Sequence, residues 1–244
     1  MIQPASHPVL EGMNNCAVGC DTTTHRSTSA VIRLINDRFA SNAYVAICGS
    51  QALVIDPADV DSGRIVTLLS DQRVSEVLIV LTHEHFDHMS GVNRLREKFM
   101  ATQLVCSRSC SENIATPTGN FSRYLAGVDL VCGAADLLCE NIHYEMEWSG
   151  GRLEMIATPG HTFGSICIVM EEMLFSGDTV IWNCPTVTRL PGGRQDQLKQ
   201  SIALLMERIP PSTVVCPGHG ESFLFRQIDP EIILGVVKPY VNVA

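Results

Sequence analysis

Residues 82–91, THEHFDHMSG, place three histidines and an aspartate within six positions, directly behind the apolar run VLIVL. The chain has only eight histidines in 244 residues, and an ordinary solvated loop has no need of that density. A β-branched apolar run of this length reads as a strand buried on both faces. In extended backbone, alternate side chains project to one side. His83, His85 and Asp87 would therefore share a face if the strand continued, and a turn is needed before His88 can point elsewhere. Imidazole nitrogens and carboxylate oxygens are donors suited to divalent transition metals. The plain alternative is a polar strand-to-helix loop with Asp87 favourably placed near a helix N-terminus. Three histidines in six positions argue against it.

The same grammar recurs along the chain. Asp56 follows ALVI, His161 follows MIATPG, Asp178 follows MLFSG, and His219 follows TVVCPG. Each alone is explained by a capping carboxylate or a satisfied loop histidine. Together with the histidine cluster they describe several strand ends that carry ligand-type side chains.

Composition narrows the partners. The formal charge is −9, and the densest basic stretch, RLREKF, is interrupted by Glu97, so neither nucleic acid nor an anionic membrane surface is expected. No apolar run approaches the roughly 20 residues of a membrane span. The opening MIQPASHPVLEGMNNCAVGC lacks the basic leader and long apolar core of a signal peptide, which points to the cytoplasm. The ten cysteines form no C-x-x-C pair and are expected to be reduced and mostly buried. Cys16/Cys20 and Cys106/Cys110 have the spacing of helix neighbours, with no further metal site expected there. His7, His25 and His143 have no evident partner and are expected at the surface.

Hairpins are expected over NAYVAICGSQALVI, HYEMEWSGGRLEMIA and SICIVMEEMLFSG, each turning at Gly or charged residues. Helical spacing marks SGRIVTLLSDQ, GVNRLREKF and QDQLKQSIALLMERI, the last with Leu198, Ile202, Leu205 and Ile209 on one stripe. TQLVCS and STVV read as further strands, and no role is assigned to the first thirty residues. Hairpins followed by helices, twice over, imply an α/β fold with two mixed sheets and helices outside. One domain over 1–244 is expected, with residues 107–140 a broken helical stretch forming a lid or pocket wall.

The five motifs, in order, resemble those of the metallo-β-lactamase-fold superfamily, over residues 42 to 222. The resemblance implies an αββα sandwich with a metal site at one edge of the two sheets. It further implies that His83, His85 and His161 hold one divalent ion, that Asp87, His88 and His219 hold a second, and that Asp178 bridges them. Asp56 would brace the metal loop from behind, as metal ligands generally require. Zinc suits this donor set, with iron and manganese as competitors. Two ions bridged by a carboxylate leave room for a shared water, whose pKa falls from 15.7 toward ~7 on zinc. The expected reaction is hydrolysis, with a metal-bridging hydroxide attacking an acyl carbonyl and Asp87 and Asp178 as the catalytic carboxylates.

Within that superfamily, β-lactamases generally carry cysteine or serine where this chain has Asp178. Hydroxyacylglutathione hydrolase (glyoxalase II) and its thioesterase relatives are the nearest in motifs, and a small-molecule thioester is the expected substrate. Those enzymes typically append a helical domain, whereas this chain ends 25 residues past His219, so the thiol carrier stays open. N-acyl homoserine lactonases share the ligands but usually have tyrosine where Ile181 stands. Persulfide dioxygenases, with a single iron, are a third reading. Trp182, Asn183, Arg189 and Arg194 are candidates for the mouth of the site, where a guanidinium would fork onto a substrate carboxylate or phosphate. Asn120, Arg123 and Tyr124 are weaker candidates.

Overall fold

A computed structural model describes residues 30–58 and 63–238. Cys16, Cys20, His7 and His25 lie outside the described residues. The strands are β1 (Val31–Ile35), β2 (Asn42–Cys48), β3 (Gln51–Ile55), β4 (Glu76–Val80), β5 (Ala101–Ser107), β6 (Leu137–Cys139), β7 (His143–Trp148), β8 (Gly151–Ala157), β9 (Ile166–Met170), β10 (Met173–Gly177), β11 (Val214–Pro217) and β12 (Phe223–Leu224). The helices are α1 (Arg64–Asp71), α2 (Phe86–Met89), α3 (Val92–Lys98), α4 (Arg108–Ile114), α5 (Ser122–Leu125), α6 (Gln195–Arg208) and α7 (Pro230–Ile233).

Strands β1 to β6 form one sheet in chain order, and β12 to β7 form the second in reverse order. In the first sheet β1, β2 and β3 pair antiparallel, whereas β3, β4, β5 and β6 run parallel. In the second, β7 to β10 are antiparallel and β10 pairs parallel with β11. Both sheets are mixed, as their sequence patterns predict.

The period of two explains the layers. In β4, Val77 and Ile79 face one side and Leu78 and Val80 the other. Tyr44, Leu53, Ile55 and Val80 from the first sheet meet Met155, Ile168 and Phe175 from the second in the central core. The Tyr44 and Phe175 rings touch edge-on across it, 5.2 Å between centroids. Outside the first sheet, Ile65 and Leu69 of α1, Leu95 of α3 and Ile114 of α4 cover Val45, Val54 and Leu104. Outside the second, Leu198, Ile202 and Leu205 of α6, with Ile209 beyond its end, cover Ile156, Leu174 and Val215. The result is helix, sheet, sheet, helix, with the strands legible as continuous apolar runs because both faces are covered.

Several elements differ from expectation. The half-buried edge strand β1 and the short β12 and α7 have no clear apolar period. Residues 107–140 are not purely a lid: the stretch contains α4 and α5 and ends in β6, which pairs with β5 as an edge strand. His143 is not a free surface residue. It is half-buried on β7, with Nδ1 3.0 Å from Glu154 of β8. The cysteines among the described residues form no disulfide, and all but Cys48 and Cys184 are buried.

Gly160 fixes the approach of α6. Its φ is +146°, and a β-carbon there would lie 2.5 Å from the α-carbon of Leu198. Gly160→Ala should force α6 outward and destabilise the protein by about 1–3 kcal/mol, read from the urea midpoint; an unchanged midpoint would refute this packing.

Candidate metal centre

Strands β3, β4, β8, β10 and β11 all end at the same edge of the sandwich, and the chain places a histidine or aspartate after each. Asp56 follows β3 in a left-handed conformation, φ 49°. Beyond β4 the chain bends at Thr82 and His83, is extended at His85, φ −62° and ψ 142°, and then enters the four-residue helix α2. That helix supplies the turn required before His88. It also carries Asp87, so Asp87 does not join the face of His83 and His85, as a continued strand would have required.

His83, His85 and His161 form one group of possible donors and Asp87, His88 and His219 a second, with a third set, Asp56, His83 and His88, spanning them; the ligand atoms of each lie within 4.8 Å of one another. His161 Nε2 lies 3.1 Å from His85 Nδ1, and Asp87 Oδ2 lies 3.3 Å from His219 Nε2. Asp178 stands between the groups. Its Oδ1 is 3.5 Å from His88 Nε2, and its Oδ2 is 3.7 Å from His161 Nε2 and 3.6 Å from His219 Nε2. Donors about 2.0–2.1 Å from a tetrahedral zinc sit roughly 3.3 Å from each other, so these spacings suit shared cations. The buried Nε2 atoms of His83 and His88, and Oδ1 of Asp178, have no hydrogen-bond partner. Such orphaned atoms are costly; several aimed into one space are what a divalent ion would satisfy.

The two groups differ electrically. Burial, reinforced by the neighbouring imidazoles, lowers His83 well below the usual histidine range. Burial and His161 lower His85 to about 3, so both rings are neutral with lone pairs available. Burial also opposes charge on His88, but Asp87, Asp178 and Asp56 outweigh it and raise the group to about 10. Burial pushes Asp87 up, yet His88, His219 and His85 hold its carboxyl well below the usual carboxylate range. Here a cation would displace a proton on binding.

The supports reach across the fold. Asp56 accepts the Thr82 amide at Oδ1 (2.7 Å) and the Thr82 hydroxyl at Oδ2 (2.6 Å), and its Oδ2 lies 3.1 Å from His88 Nδ1. With both oxygens engaged, Asp56 is a brace. His161 Nδ1 meets the Val187 carbonyl at 2.8 Å, and His219 Nδ1 the Ala40 carbonyl at 3.2 Å. Asn42 holds the His219 turn: its amide N–H donates to Gly218 O, and Nδ2 to the carbonyls of Pro217 and Gly220. The Ser41 hydroxyl donates to the Asp87 carbonyl at 2.7 Å. The Phe121 ring lies edge-on to His85, 5.0 Å between centroids. Sequence reading missed Ser41, Asn42, Thr82, Phe121 and Val187; only Asn42, a polar residue opening an apolar strand, left any signal.

The residues nominated for substrate fare unevenly. Arg194 forks onto Asp196 at 2.9 and 2.7 Å, and Arg123 onto Asp129 at 2.9 and 2.8 Å; neither offers a free guanidinium. Asn120 is fully buried and ties the carbonyls of Ile114 and Leu130 and the amide of Ser122, which makes it a strut of its segment. Tyr124 and Trp182 are exposed. Arg189 is exposed and Asn183 half-buried. Asp56→Ala, which removes no donor of either group, should still weaken metal binding about 10- to 100-fold in chelator competition; wild-type affinity would show that the brace is dispensable.

A profile described as the Metallo-beta-lactamase superfamily matches residues 36–219. The chain is 30% identical over 182 residues to the "Probable metallo-hydrolase YqgX" of Bacillus subtilis, covering 74% of this chain and 85% of that protein. It is 28% identical over 170 residues to the hydroxyacylglutathione hydrolase of Klebsiella pneumoniae, covering 69% of this chain and 57% of that enzyme. Among solved structures, the BLEG-1 B3 metallo-beta-lactamase superposes with a TM-score of 0.74 at 28% identity, covering 81% of this chain and 95% of that one. The two six-stranded sheets, the strand-end donors and these likenesses agree: the chain belongs to the metallo-beta-lactamase superfamily and is one of its metal-dependent hydrolases.

Proposed function

We propose that the protein hydrolyses an acyl thioester at a centre holding two divalent ions, zinc first among the candidates. His83, His85 and His161 would hold one ion, Asp87, His88 and His219 the other, and Asp178 both. The observation that carries this reading is the position of Asp178, within 3.5–3.7 Å of imidazoles from both groups. When bound, such ions supply an acidified water and polarise a carbonyl. The protein's own part is to hold charge and protons. Neutral His83 and His85 present lone pairs without proton loss. Asp87 remains ionised through the neutral range, so its Oδ2 can accept a hydrogen bond from the attacking water and steer its lone pair. The Asp56 brace and the Val187 and Ala40 carbonyls hold the rings at fixed angles, so little reorganisation accompanies the reaction.

The thioester preference is supported by aspartate at 178 and by the likeness to a hydroxyacylglutathione hydrolase. Ile181, in place of a tyrosine, weighs against a lactone. The tied guanidinium groups of Arg194 and Arg123 leave Arg189 as the remaining nominated cation for an anionic thiol carrier.

Asp178→Ala should lower bound metal per chain and reduce turnover about a thousandfold, the equivalent of several kcal/mol of transition-state stabilisation. Full activity with two ions retained would contradict the assignment. A panel of acyl-glutathione, acyl-coenzyme A, N-acyl homoserine lactone and persulfide, read with elemental analysis and oxygen uptake, tests the substrate class. Thioester cleavage by two-ion protein supports the proposal. Oxygen uptake by a single-iron protein, or a preference for the lactone, would overturn it.

A further inference from the structure

The ligand loop alternates in what its side chains do. His83 and His85 face the donor cluster, whereas Thr82 and Glu84 hold to other parts of the protein. Thr82 is taken up by Asp56. Glu84 is 3% exposed, and no substrate role has been given to it. Its Oε2 accepts the Thr162 hydroxyl at 2.9 Å, and its Oε1 accepts the Asn113 side-chain amide at 3.2 Å. Thr162 is the residue after His161, and Asn113 lies in α4.

The turn around Thr162 is shaped to receive that carboxyl. The Thr162 amide and hydroxyl both lie against the Ser165 hydroxyl, at 3.1 and 3.0 Å. A β-carbon on Gly164 would sit 2.7 Å from Glu84 Oε2 and 2.7 Å from the Cys110 amide nitrogen, so the contact requires glycine. The Gly164 carbonyl in turn accepts the Ser107 hydroxyl at 2.8 Å, and the Ile166 amide donates to the Thr82 carbonyl at 2.8 Å. A carboxyl kept this far from solvent costs more than an apolar side chain of equal volume, so its place is better explained by what it joins. It joins the loop bearing His83 and His85 to the turn bearing His161. Asp56, by contrast, ties Thr82 to His88.

We infer that Glu84 is a positioning residue: by bonding Thr162 it sets His161 against His83 and His85, and so sets the affinity of that three-imidazole group for its ion. The inference rests on the reading of the cluster as a metal centre. The experiment uses metal-free protein in the His219→Ala background, which leaves all three imidazoles in place. Zinc affinity is measured by competition with a chromophoric chelator, and cobalt(II) substitution reports ligand geometry through its visible spectrum. Glu84→Ala and Thr162→Val should each weaken zinc binding about 10- to 100-fold and alter the cobalt bands. Glu84→Gln should stay close to its parent, because its amide oxygen can still accept from Thr162 while the Asn113 amide turns over. Thr162→Val decides the matter if Glu84→Ala does not fold. Parental affinity and spectrum in Thr162→Val, with only a lower melting temperature, would overturn the inference and leave the metal centre standing. A Glu84→Gln variant as weak as Glu84→Ala would overturn its hydrogen-bonding basis. A parent that takes up neither zinc nor cobalt would sink the metal-centre reading itself.

Discussion

Both carboxylate oxygens of Asp56 are engaged inside the protein, on Thr82 and on His88, and the course of the whole ligand loop follows from that. Thr82 is held by its amide and its hydroxyl together, which fixes the direction in which the chain leaves β4. The same hydroxyl lies 3.0 Å from His83 Nδ1, so the brace reaches one ring directly and a second through Thr82. His88 can therefore belong to the second donor group while being anchored from the same point as the first. Without such anchors the imidazoles would have rotamer freedom to lose on meeting an ion, and affinity would fall by that entropy.

The cluster is electrostatically unbalanced by design of its burial. Five buried or half-buried imidazoles and the carboxylates of Asp87 and Asp178 share one small space, in which His83 and His85 are kept neutral while His88 holds a proton. Burial dominates at His83 and His85, and the pull of Asp178 and Asp87 on His85 does not offset it. At His88, three carboxylates overcome the same burial. Unequal groups thus flank a common carboxylate, Asp178.

The two sheets contribute to the centre together, which makes it sensitive to their packing. Asn42, at the start of β2 in the first sheet, donates hydrogen bonds to the carbonyls of Pro217, Gly218 and Gly220 at the end of β11 and in the turn after it in the second. The inter-sheet core of Tyr44, Val80 and Phe175 joins the two sheets whose ends carry His83 and His219. Close packing of that core transmits strain rather than absorbing it.

The layers, the strand-end grammar and the seven candidate ligand residues were legible in the sequence, because apolar period and ligand chemistry are local properties written in consecutive residues. The hairpins at Gly49, Gly150 and Glu171 were legible for the same reason: a turn needs particular residues at particular positions. Tertiary structure decided the rest. Asp87 parted from His83 and His85 only because α2 begins at Phe86. The edge strand β6 could be seen only beside β5. Asn120, nominated for substrate, became a strut, and Arg194 was tied to Asp196, since a side chain's partner depends on what folding brings beside it. Ser41, Asn42 and Val187 carry no metal-ligand signature, and their work at the centre follows from contacts between residues far apart in the chain, which no local pattern encodes.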